Sequence, residues 1–75
     1  MTISEACLNF YTAVFKRAIK NGLKEKEFFE CLKKLIASCK ESGVSFIDAL
    51  RMALDIFDEN LAYYEAGECT LNEIL

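Results

Sequence analysis

The chain has 75 residues, 53% of them hydrophobic, with no Pro, no His, four Cys and nine basic against twelve acidic side chains, for a formal net charge of −3. That length predicts one domain, at a size where a single core is marginal and where oligomers, metals or disulfides commonly add support; the apolar content excludes a disordered tail. The longest uncharged run, Ala6 to Phe15, is well short of the roughly 20 apolar residues of a bilayer span, and Glu5 stands where a signal peptide would be basic, so a cytoplasmic protein without a membrane segment is expected.

In chain order, Thr2 and Glu5 have the spacing of a capping box, which predicts a first helix over about 3–21 that ends at Asn21 and Gly22. Leu23 is placed for the hydrophobic contact that follows such a stop, and a second helix follows over about 24–41, terminated by Gly43. Ser45 is a good N-cap with Asp48 at N3, opening the longest helix, about 46–66, with Gly67 behind it. Thr70 and Glu73 repeat the capping spacing, so 71–75 is expected to form a short turn that needs docking to persist. Short connections between helices favour antiparallel neighbours, and the expected fold is all-α: a small three-helix up-down-up bundle with a short C-terminal helical turn.

The apolar residues are unequally shared among these helices. On the middle helix Phe28, Phe29, Cys31, Leu32, Leu35, Ile36 and Cys39 fill an arc of about 160°, which suits a member of a bundle. On the first helix the apolar arc spreads over roughly 240° and on the third over roughly 220°, more than two neighbours can cover. The surplus must be exposed, capped by the tail through Leu71, Ile74 and Leu75, or buried against another protein. Large aromatics dominate interface energetics, so Phe10, Tyr11, Phe15, Phe57, Tyr63 and Tyr64 are the candidate anchors. Two polar residues interrupt the apolar arcs and join the candidate interface: Arg17, suited to pairing with carboxylates, and Asn60, which can fix register.

Charge is unequal as well. Residues 1–40 carry eight basic and four acidic side chains, net +4, whereas residues 41–75 carry Arg51 against eight acidic ones, net −7. Such a dipole steers association with a charged partner or with a second copy in antiparallel orientation. On the third helix Asp48, Asp55, Asp58 and Glu59, continued by Glu65, form an acidic strip that can meet a basic groove, including that of a nucleic-acid-binding protein.

Catalysis is not expected. His, the commonest general base, is missing, and no phosphate loop or nucleophile-elbow pattern is present. No two of Cys7, Cys31, Cys39 and Cys69 stand at zinc-hairpin spacing, so reduced thiols without metal or cofactor are expected, with Cys69, in a polar stretch, the one candidate reactive thiol. The stretch Cys39 to Leu54 superficially resembles a helix-turn-helix, but its would-be recognition helix opens with Phe46, Ile47 and Asp48 and has Arg51 as its sole cation, which argues against direct nucleic-acid binding. The expected function is therefore a non-enzymatic protein-protein interaction module, a small inhibitor or regulator that forms a homodimer or binds one protein partner through helices one and three. The alternative is a small DNA-binding regulator using the basic residues of helices one and two.

Overall fold

The computed structural model describes residues 2–75, the side chain of Ile3 excepted, and folds them into α1 (Ile3–Lys20), α2 (Glu25–Lys40), α3 (Phe46–Glu65) and α4 (Leu71–Ile74). The starts and stops follow the predicted local chemistry. At α1 the Glu5 N–H donates to Thr2 Oγ1 at 3.1 Å while the Thr2 N–H donates to the Glu5 carboxylate at 3.4 Å, so two donors that a helix start orphans are both satisfied. Its end is a full Schellman stop: the Gly22 N–H reaches Ile19 O at 3.0 Å and the Leu23 N–H reaches Ala18 O at 3.1 Å, with Gly22 at φ 95°. Leu23 then turns inward and is buried. At α3 the Asp48 N–H donates to Ser45 Oγ at 3.3 Å, and α2 begins with the Lys24 N–H held by the Glu27 carboxylate at 2.8 Å.

α3 is the central element, packed against α2, α1 and α4, and α1 runs parallel to it. Cys7 and Phe10 near the start of α1 lie beside Ile47 and Asp48 near the start of α3, and Arg17 near the end of α1 reaches Asp58 and Glu65 toward the end of α3. The order is thus up-down-up. The buried side chains form one cluster in which Phe28, Phe57, Leu54, Leu61 and Val14 are the largest fully enclosed members.

Phe28 is the hub of that cluster. Its ring meets Phe57 of α3 edge-on at 5.1 Å between centroids, and Phe15 and Tyr11 of α1 edge-on at 5.2 and 5.7 Å, so one side chain joins all three long helices. Edge-to-face contacts of this kind add about 0.5–1.5 kcal/mol each beyond area burial. Phe57, which its place in the α3 arc made a candidate interface anchor, is wholly enclosed within the chain and leaves the candidate surface.

The tail docks. Ile74 is buried, Leu71 and Leu75 pack on the core, and the Cys31 thiol donates to Ile74 O at 3.4 Å. Burial pushes the Cys31 thiol pKa up, which keeps it in the protonated form that makes this contact. The Thr70 N–H and hydroxyl both donate to Glu73, at 3.2 and 3.1 Å, which fixes the start of the last turn. The radius of gyration is 12.2 Å, with principal extents of 33 × 27 × 21 Å.

Candidate protein-interaction surface

α1 and α2 touch mainly through rings near the connection that joins them. Phe29 stacks on Tyr11 at 6.4 Å and on Phe15 at 6.1 Å, while Tyr11 and Phe15 lie with parallel planes at 6.5 Å. Phe29 follows Phe28 by about 100° around α2, so when Phe28 enters the core its neighbour is turned to the rim. Toward the N-terminal half of α1 no α2 residue covers the gap. There an apolar groove of about 390 Å³ is lined by Ser4, Cys7, Leu8, Tyr11, Ile47 and Leu50. Leu8 forms its wall and is 63% exposed. Leu8, Tyr11, Phe15 and Ile19, at helical spacing, thus continue the groove into one apolar face that ends at Phe29.

Across the ridge made by Cys7 and Ile47 lies a second cleft of about 290 Å³, with Ala6 and Phe10 on the α1 side and Asp48, Arg51 and Asp55 on the α3 side. It pairs an apolar wall with a charged one. Of the candidate anchors, then, Tyr11 and Phe15 border the apolar face, Phe10 lies in the charged cleft, Tyr64 packs half-buried on the core, and Tyr63 projects from the far side of α3. Asn60 is half-buried, and its carbonyl faces the Cys69 thiol at 4.0 Å. Cys69 itself is half-buried against the core rather than free in a polar loop.

Arg17 and Glu65, both candidate surface groups, are instead joined to each other. The Arg17 Nη1 donates to Asp58 Oδ1 at 2.6 Å, and its Nε to both Glu65 oxygens at 3.2 and 3.1 Å. Nη2 also donates to Glu65 Oε1, and Asn21 Nδ2 adds a bond to Glu65 Oε2 at 2.8 Å. The fork of a guanidinium fits a carboxylate in this two-point fashion, and charge-assisted bonds hold both ions. The Glu65 carboxyl is accordingly held at about 2, through its bonds to Arg17 and then Asn21, and the Arg17 pKa is pushed up. The acidic strip therefore divides: Asp58 and Glu65 close the end of the α1–α3 seam, whereas Asp48, Asp55 and Glu59 face outward.

Several exposed groups lie outside the candidate anchors: Leu8, Ile19, Phe29, Phe46, Met52 and Ile56 are large, apolar and at least 37% exposed. For Leu8, Ile19, Phe46, Met52 and Ile56 the signal was the excess arc of α1 or α3, which marks a helix as over-greasy without telling which members lie outside; Phe29 lies on α2, whose arc gave no such signal. Phe46 carries Lys40 over its ring at 6.0 Å, a contact between the end of α2 and the start of α3. Among the described residues no helix is long and apolar enough to cross a membrane, and no group of three or more Cys, Asp or Glu side chains is arranged to hold a metal ion. The chain matches no family model, no curated protein and no solved structure.

Proposed function

We propose that this protein is a non-enzymatic interaction module, a small regulator or inhibitor that acts by covering another protein surface with the apolar face of α1 and the groove beside it. The observation that carries this reading is the uncovered state of Leu8, Ile19 and Phe29 after the tail has already docked elsewhere. Exposed apolar groups scattered singly are ordinary, but here Phe29 is stacked on Tyr11 and Phe15, and Leu8 and Ile19 share their face of α1, Leu8 at an apolar groove. Groove and stacked rings supply the buried centre that tight association needs, and the charged residues around them supply a rim.

The test is site-specific photocrosslinking in cells, with the photoreactive residue at position 8 and, as control, at the exposed position 34 on the far side of α2. The expected result is one discrete product from position 8, either a second copy or a single partner, and none from position 34. Equal, diffuse labelling from both positions, or none from position 8, overturns the reading.

A further inference from the structure

α3 carries a second exposed strip. Met52, Ile56 and Tyr63 are 40%, 40% and 45% exposed, with Glu59 between them accepting a hydrogen bond from the Tyr63 hydroxyl at 3.1 Å. This strip points away from the groove: Ile47 of the groove and Ile56 of the strip are nine residues apart, about two and a half helical turns, and therefore on opposite sides of α3. One molecule thus presents two apolar surfaces facing in different directions.

Their charges are opposite. Between the strip and the charged cleft, Asp48 and Asp55 stand seven residues apart with Glu59 on the same flank, three carboxylates against the single cation Arg51. On α2, Phe29 and Ile36 form an apolar row, and the next row is Lys26, Lys33 and Lys40, also spaced by seven. Seven residues advance about 10.5 Å along a helix and nearly complete two turns, so both ladders run along one side of their helices with the same repeat. We propose that the outer strip of α3 in one copy of this chain docks on the α1/α2 face of a second copy, carboxylates against the lysine row, in a head-to-tail contact.

Charge decides against the two symmetric alternatives. Strip on strip sets the carboxylates beside Met52 and Ile56 of one copy against those of the other, and face on face sets lysine row against lysine row; like charges in apposition disfavour both. Strip on face satisfies both ladders at once. Because the two surfaces lie on opposite sides of the molecule, the contact is heterologous: each copy uses its strip toward one neighbour and its face toward another, forming a short chain or a ring rather than a closed pair.

The proposal rests on the reading of the α1 face as a binding surface, and charge exchange in the intact 75-residue chain separates the two. Lys33 and Glu59 are both exposed, so Lys33→Glu and Glu59→Lys leave the core untouched. Sedimentation velocity from micromolar to millimolar concentration is expected to show mass rising above 8.5 kDa for the natural chain and association about tenfold weaker for either single variant. An equimolar mixture of the two variants, or the double variant, restores association to within about threefold, because the carboxylate introduced at position 33 of one copy then meets the ammonium introduced at position 59 of the next. Weakening by either single change that neither mixing nor the double variant repairs overturns head-to-tail docking, as does association insensitive to both changes. A natural chain that stays at 8.5 kDa throughout also overturns it, while a discrete crosslink from position 8 to a different protein would keep the α1 face as a binding surface.

Discussion

The two ends of the α1–α3 pair are built on different principles. Toward their C-termini, Val14 and Ala18 face Leu54, Phe57 and Leu61 in a fully enclosed interior, Phe28 ties in α2, and the Arg17 fork closes the seam from outside. Toward their N-termini the same two helices touch along Cys7 and Ile47, with an open cleft on either side and Leu8 and Phe46 more than half exposed. One end is closed by interlocking rings and an ion cluster; the other leaves large apolar groups more than half exposed. On the reading proposed above, the closed end supplies stability and the open end supplies Leu8 and the groove to the binding surface. A mutation at the closed end should therefore cost fold, and one at the open end should cost association.

The sharpest contrast is between adjacent phenylalanines. Phe28→Ala removes the ring that contacts α1 and α3 and leaves a cavity in the centre of the core; such truncations cost about 3–5 kcal/mol. The whole stability of a chain this size is on the order of 4–11 kcal/mol, so thermal unfolding followed by circular dichroism should show a chain largely unfolded or melting tens of degrees lower. Phe29→Ala, one residue on and at the rim, should lower the midpoint by only about 5–10 °C. Equal losses from the two would erase the distinction between enclosed hub and exposed rim.

How far the sequence carried this distinction can be judged from particular residues. Caps are local chemistry, and Thr2 with Glu5, Ser45, and Gly22 placed the helix boundaries to within a residue or so because each satisfies or ends its helix with groups a few positions away. The excess arc on α1 and α3 was equally legible, since it depends on helical period alone. Which part of the arc is spent inside was not. Phe57 and Met52 both belong to the apolar arc of α3, but only the angles at which α1, α2 and the tail approach decide that the first is enclosed and the second exposed. The partners of Arg17 were hidden for a similar reason: they are 41 and 48 residues away, and nothing local distinguishes an arginine that meets two carboxylates of its own chain from one lying in water.

The Arg17 cluster gives a smaller and pH-dependent effect on the closed end. Glu65 is held at about 2 in the folded chain, below the ordinary 4.5 that an unfolded glutamate keeps. Between those values the unfolded chain binds a proton that the folded chain does not, so the stabilisation is complete above about 4.5 and is lost as pH falls toward 2. The groups are about one-third exposed, which screens them and limits the effect. Arg17→Met should lower the thermal midpoint by no more than about 5 °C at neutral pH and flatten the fall in midpoint across that acid window. An acid limb as steep in the variant as in the natural chain would mean that carboxylates other than Glu65 set it, and that the seam is closed by packing alone.

The least change in stability, with the largest change in behaviour, is expected at the open end. Leu8 is 63% exposed, so Leu8→Asp removes little buried area and creates no buried charge; exposed substitutions of this kind stay within about 0.5 kcal/mol. The thermal midpoint should therefore move by no more than about 4 °C in either direction. In association the same aspartate would have to be desolvated against an apolar partner at the wall of the groove, a cost far above what its exposure loses in the free chain. Mass measured by light scattering should consequently fall to 8.5 kDa at concentrations where the natural chain is larger, while the melting curves superimpose. A variant that melts early would show that Leu8 belongs to the fold after all, and one that associates normally would move the adhesive surface away from α1, leaving the open end as an unfilled margin of the core.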